Sequence, residues 1–202
     1  MATFRTIRHF DTSLLITRAD EASEALGKEY WVMTQPFVYY VGVKGSNITV
    51  EVPAGYLTDG ATIPPAAYDF IRPWGKHGQA CALHDYLCEY LTVKIDGLYA
   101  PITRAMCDRI LLEAMEVLDV SLIKRYIMYW SVCLWRIINN INHPKPVKGK
   151  RAWEELYRDK YGIVQPSELP SFQGCWKTHA APKGLKIIQD IIADATQLNK
   201  TK

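Results

Sequence analysis

The chain has 202 residues, of which 49% are hydrophobic and 22% charged, a balance that suits one compact domain with a sizeable core and excludes a disordered or fibrous protein. Its formal charge of +3 is too small to point to nucleic acid as a specific partner, although residues 145–202 hold most of the basic excess. Five cysteines, four of them in apolar stretches of helical period, fit free thiols in a reducing compartment better than a disulfide framework.

Residues 1–16 carry Arg5, Arg8, His9 and Asp11 where a secretory signal would need an unbroken apolar core, so export by the usual signal is not expected. Residues 29–33 and 37–43 are rich in aromatic and β-branched side chains, and 47–52 alternates Ile48, Val50 and Val52 with polar neighbours, so all three read as strands. Lys44-Gly45-Ser46-Asn47 predicts an antiparallel hairpin between the last two. Pro53-Ala54-Gly55, Asp59-Gly60 and Pro64-Pro65 then interrupt the pattern, and 56–64 is expected to be a shaped loop.

From Gly78 the hydrophobic period changes from two to about 3.6. Helices are expected at 79–91, at 102–118 with Thr103 as cap, and at 122–142 with Pro144 and Pro146 beyond it. The apolar run 117–138 contains Asp119, Lys124, Arg125 and Arg136 and reads as a buried helix, not a membrane span. Lys145, Lys148, Lys150 and Arg151 read as a solvated basic loop. A short fourth helix is expected at 152–161, irregular chain with Pro166, Pro170 and Pro182 at 162–184, and an amphipathic helix at 185–198. That last helix would place Leu185, Ile188, Ile191, Ile192 and Ala195 on one stripe that docks on its own domain or on a partner chain, the former being the commoner case. The fold class is therefore α+β: a small antiparallel sheet within 29–57, a helical half of about three packed helices within 79–142, and a C-terminal helical extension. The division expected is a core at 1–153 and an extension at 154–202.

Polar residues out of place mark a candidate site. His84 falls on the apolar face made by Ala80, Leu83, Leu87 and Leu91, and Asp108 on the row of Ala105, Leu112 and Met115. Consecutive helices pack side by side, so an inward His and an inward Asp are expected to meet. Such a bond fixes the ring tautomer, as a histidine general base requires, and equally clamps two helices in a purely structural role. Asp85 lies about 100° around the helix from His84, toward the loop at 58–64. There Asp59 and the Thr58 and Thr62 hydroxyls would offer hard oxygen ligands for Ca²⁺ or Mg²⁺. Asp59-Gly60 also fits a plain turn with Gly60 at positive φ, and Asp85 also fits an ion pair with Lys76 or Arg104. Trp74 and His77 are placed to line the same opening, His77 reading best as an exposed loop residue. Tyr126, Tyr129, Trp130 and Trp135 read as core or interface aromatics. Cys81 and Cys88 share a side of one helix, but no second His/Cys cluster completes a zinc site. Nucleophile-elbow, P-loop and dinucleotide-binding motifs are absent from the sequence.

These residues resemble the phage- and prophage-associated domain of unknown function 1353 family, with its pattern P-x-G-[FY]-x-T-D-G-A-[ST]-x-P, a Trp-Gly segment, L-H-D-x-L and a later helical Asp. Here the pattern stands at Pro53 to Pro64, Trp74-Gly75, Leu83-His84-Asp85-Tyr86-Leu87 and Asp108, and the likeness runs over residues 52–153. It implies a phage or prophage origin. A second likeness is to prokaryotic phospholipase A2, whose C-x-x-H-D-x-x-Y helix packs on one bearing an Asp. Cys81-Ala82-Leu83-His84-Asp85-Tyr86 and Cys107-Asp108 are similar, although the Tyr follows immediately and the glycine-rich calcium loop and disulfide pattern are missing. Carried over, it implies His84 activating a water, Asp108 orienting the ring and Asp85 holding Ca²⁺.

Three functions are therefore expected in order. The first is a phage structural or assembly protein of the virion, in the tail or head–tail region, with a non-catalytic His/Asp site and other phage structural proteins as partners. It would be made in the host cytoplasm. The second is a divalent-metal-assisted hydrolase acting on a host envelope lipid or ester, and the third an intracellular module binding a host protein through its basic C-terminal surface.

Overall fold

The computed structural model describes residues 9–61, 74–144 and 146–161. Two short antiparallel sheets precede and interleave with a helical half, which makes the fold α+β as expected. Strand β1 (Ile16–Arg18) leads into helix α1 (Asp20–Leu26), closed by Gly27 at φ 67, and then into β2 (Trp31–Met33). Strand β3 (Phe37–Tyr40) pairs with β4 (Ile48–Val52) as the hairpin the turn residues predict, Phe37 opposite Val52 and Tyr40 opposite Thr49. Strand β5 (Leu57–Thr58) returns to β2, with Trp31 opposite Thr58.

The single sheet expected within 29–57 is in fact two. Pro36 has no N–H to carry a ladder across the corner after β2, so β2 pairs instead with β1 and β5, in the order β1-β2-β5. The second sheet runs β3-β4-β6-β7, where β6 (Thr92–Ile95) and β7 (Leu98–Pro101) occupy what reads from sequence as a loop between two helices. Asp96 and Gly97, at φ 51 and 81, make their turn, and Asp-Gly is a strong two-residue hairpin signal. Strand β3 stops short of residue 43 because Gly42 turns left-handed at φ 85 and donates its N–H to Glu113 Oε1 at 2.8 Å.

Helices α2 (Gly78–Tyr90), α3 (Arg104–Val117) and α4 (Leu122–Ile138) begin close to their expected positions. Thr103 caps α3, its hydroxyl accepting from the Met106 N–H at 3.3 Å. Helix α2 packs on β4, β5 and α3, and α3 on α4. The main core gathers Tyr39, Val50 and Val52 of the sheet, Ala80, Leu83 and Leu87 of α2, and Ile110, Leu111 and Ala114 of α3. Cys81, Cys88, Cys107 and Cys133 are free thiols within the helices.

Two expectations need correction. The run 117–138 is not a buried helix: of α4 only Met128 and Cys133 are buried, and its other face, apolar as well, is uncovered among the described residues. An all-round apolar helix reads as buried from sequence whether or not a second partner is present. The basic loop at 145–151 is also interrupted by structure. Lys150 starts helix α5 (Lys150–Lys160) and is buried, because α5 lies against α1 and the chain at Gly55. A second small core forms there from Ala19, Ala22, Tyr30, Val32, Leu57 and Tyr157. The 153/154 division falls inside α5. No helix among the described residues is long and apolar enough to cross a membrane. The irregular chain at 162–184 and the stripe at 185–198 lie outside the described residues.

Candidate functional site

Helix α2 places His84 and Asp85 on neighbouring but different sides. His84 meets Asp108 of α3 as its position on the apolar face requires, Nε2 lying 3.0 Å from Oδ1. The carboxylate has a second cation that sequence reasoning missed: Arg136 of α4 donates from Nε to Oδ2 at 2.7 Å. Asp108 is 1% exposed, and both its oxygens are spent on charged donors from two other helices. The sulfur of Cys88 lies 3.3 Å from His84 Nε2, and that of Cys133 lies 3.7 Å from Asp108 Oδ2.

The charges follow from these contacts. Burial works against a charged ring at His84, but the Cys88 sulfur and the Asp108 carboxylate outweigh it and lift its pKa from 6.5 to about 9. Burial likewise works against charge at Asp108, and the bonds from His84 and Arg136 reverse it, holding the carboxyl below its ordinary range. The ring is therefore an imidazolium at neutral pH, with Nε2–H donating to Asp108. Its Nδ1 has no partner among the described residues, and the side chain keeps 12% exposure.

Asp85 turns to the loop, also as expected. Its Oδ2 accepts from the Thr58 hydroxyl at 2.6 Å, and the same Thr58 oxygen accepts from the Gly60 N–H at 3.1 Å. Asp59 reaches Asp85 through a side-chain hydrogen bond. A bond between two carboxyls needs a proton in it, and burial together with the Asp59 charge pushes the Asp85 carboxyl well above its usual range. Lys28, just past α1, forms an ion pair with Asp59. Gly60 sits at φ 71 against the Trp74 ring, where a Cβ would come within 3.0 Å of the indole. Trp74 in turn stands edge-on to Trp31 at 5.4 Å.

The loop thus joins Thr58, Asp59, Gly60, Trp74 and Asp85, while Thr62 lies outside the described residues. His77 is not an exposed loop residue: it is 6% exposed at the head of α2, where its carbonyl accepts the Cys81 N–H. Arg104 does not pair with Asp85 but donates to the Cys88 carbonyl at 3.0 Å. As the side chains stand, Asp85 is held by Thr58 and Asp59 by Lys28, so Ca²⁺ or Mg²⁺ would have to displace Lys28 to reach both carboxyls. Among the described residues no group of three or more His, Cys, Asp or Glu side chains is gathered to hold a metal.

A further polar cluster joins α5 to α2 and β5. Lys150 Nζ lies 2.5 Å from Glu89 Oε2, 3.4 Å from Glu154 Oε1 and 4.1 Å from the centre of the Tyr56 ring. The Tyr56 hydroxyl donates to Glu89 at 3.1 Å, and Glu154 accepts the Leu57 N–H at 3.0 Å. Burial raises the Glu154 carboxyl to about 7 against the pull of Lys150. For Lys150 burial opposes the charge, but Glu154 and Glu89 prevail and keep it protonated. Lys150, Glu154 and Arg158 recur every four residues, a spacing that ordinarily marks a solvated ion-paired face. The signal for the opposite orientation was Gly55: at φ 79 it lets α5 approach so closely that a Cβ would lie 2.8 Å from the Arg158 nitrogen.

The model of the family described as "Protein of unknown function (DUF1353)" matches residues 31–132. No curated protein and no solved structure matches the chain.

Proposed function

The chain belongs to the DUF1353 family of proteins of unknown function, and from that premise we propose that it is a bacteriophage structural or assembly protein in which His84 and Asp108 clamp helices together without catalysing a reaction. The observation that supports the clamp is the double engagement of Asp108, by His84 at 3.0 Å and by Arg136 at 2.7 Å, while the phage role rests on the likeness of the sequence motifs to a phage-associated family. A histidine base has to be neutral at its working pH to take a proton. Here the Asp108 carboxylate favours the charged ring over the neutral base, and that acid partner is committed to fixing α4 relative to α2 and α3. Buried ion pairs of this kind set the packing of the elements that carry them.

A second reading, a divalent-metal-assisted hydrolase of lipids or esters, has its own support in an Nδ1 that no described residue engages and in the approach of Asp59 to Asp85 between loop and helix. One comparison separates the two. Wild type and His84→Ala are assayed for ester hydrolysis with and without Ca²⁺, and both are unfolded in urea. The clamp reading expects no turnover by wild type and a large loss of stability in the variant. Turnover by wild type that a folded His84→Ala protein lacks would overturn it. The virion assignment is tested by mass spectrometry of purified phage particles and assembly intermediates, and absence from both would refute it.

A further inference from the structure

Helix α4 presents a continuous apolar seam to the outside. Ile123, Ile127, Trp130, Leu134 and Ile137 follow one another at spacings of four, three, four and three residues, and are 74, 43, 57, 54 and 63% exposed. This is the a/d repeat by which one helix receives another at a shallow crossing angle. The inward side of the same helix, with Met128, Cys133 and Arg136, is already occupied by α3 and the Asp108 clamp. Soluble monomers rarely leave a contiguous apolar surface of this extent open.

We propose that residues 185–198 of the same chain cover this seam, so that α4 is the middle helix of a three-layer stack on α3. Three facts select this occupant. First, the segment carries a matching repeat: Leu185, Ile188, Ile192 and Ala195 are spaced three, four and three, flanked by Ile191 and Leu198. Second, it can reach. Residues 162–184 follow α5 and span up to about 75 Å when extended, against about 40 Å across a domain of this size. Third, the charges agree. Residues 185–198 hold Asp190 and Asp194 against Lys186, whereas α4 itself holds Lys124, Arg125 and Arg136 and no acid. In an antiparallel pair of α4 helices centred on Trp130, Lys124 of each copy would find no acid on the other, which disfavours a second copy as the cover. The inference does not depend on whether His84 is catalytic.

The full-length protein is compared with an Ile188→Asp/Ile192→Asp variant, each with and without Trp130→Phe so that the difference isolates Trp130. Acrylamide quenching of that tryptophan is expected to rise several-fold in the double-Asp variant, with far-UV circular dichroism of the folded domain retained. Ile127→Asp, on the α4 side, is expected to expose the same segment to trypsin after Lys186. Equal quenching in both forms would overturn the proposal. So would a dimer of the full-length chain in sedimentation velocity, which assigns the seam to a second copy. Binding of the full-length chain to phosphatidylglycerol vesicles that Ile127→Asp abolishes and the double-Asp variant leaves unchanged would assign it to a lipid surface, and overturn it too.

Discussion

Replacing Asp108 by Asn removes the one negative charge between His84 and Arg136 while keeping the shape of the side chain. In wild type the His84 pKa rises from 6.5 to about 9 on folding, so between those values the native state holds one proton more than the unfolded chain. Stability then falls as pH rises, by about 1.4 kcal/mol per pH unit. It is fully present below pH 6.5 and lost by about pH 9, a total of about 3 kcal/mol. The ring is only 12% exposed, so solvent screening leaves most of this in place. Asp108→Asn strands two partly buried cations around a buried site and is expected to cost about 3–5 kcal/mol at pH 6. By pH 9 the gap between the two proteins should shrink to about 1 kcal/mol, because the wild-type ring is by then only half charged and what remains is Arg136 left without its carboxylate. The assay is urea unfolding at half-unit steps from pH 6 to 9. Glu154, with its carboxyl at about 7, contributes its own decline near the lower end, but equally in both proteins, so the difference curve reports His84. Two parallel curves, with the same gap at pH 6 and pH 9, would refute the ion-pair assignment.

Lys150→Met removes the cation buried between Glu89 and Glu154; it is expected to cost about 3–5 kcal/mol at pH 8 and visibly less at pH 5, where Glu154 is protonated. A loss independent of pH would mean that Lys150 acts only by packing. Thr58→Val deletes both the donor to Asp85 and the acceptor of the Gly60 N–H, with an expected loss of about 1–3 kcal/mol read as a lower urea midpoint; an unchanged midpoint contradicts the loop geometry. Gly55→Ala places a Cβ at positive φ against the α5 backbone and should destabilise by about 2–4 kcal/mol, with faster tryptic cleavage within α5. A wild-type melting temperature would show that α5 does not sit there.

The candidate site was legible where one element's periodicity decided the matter. His84 and Asp108 stand on apolar faces of adjacent helices, and that alone forces them together, as the 3.0 Å bond shows. The 100° between His84 and Asp85 likewise sends the latter to Thr58. Arg136 was hidden because an arginine in a helix facing both ways has no preferred side until the packing of α4 on α3 is known. Lys150 and Glu154 were hidden for a related reason: a charge stripe at i, i+4 is the pattern of a wet surface, and only the close approach at Gly55, a long-range fact, turns it inward. In the fold, the β3–β4 hairpin carried its own turn chemistry, whereas β1 and β5 are too short for an alternation to show and exist because β2 pairs with them. The β6–β7 hairpin did carry a local signal, Asp96-Gly97, inside a stretch that helical reasoning passed over.

The stretch matched by the family begins at residue 31 and ends at 132, and the clamp and the α5 cluster both reach across those limits. Cut out alone, residues 31–132 would leave β2 with a bare edge where β1 pairs, Asp108 without Arg136, Glu89 without Lys150, and the Leu57 N–H without Glu154. Each of those loses a partner that holds it in the full chain, the second small core loses Ala19, Ala22 and Tyr157 as well, and such losses cut deeply into the margin by which a domain of this size stays folded. What similarity detects and what folds are different lengths of chain, and a fragment trimmed to the former is expected in the insoluble fraction.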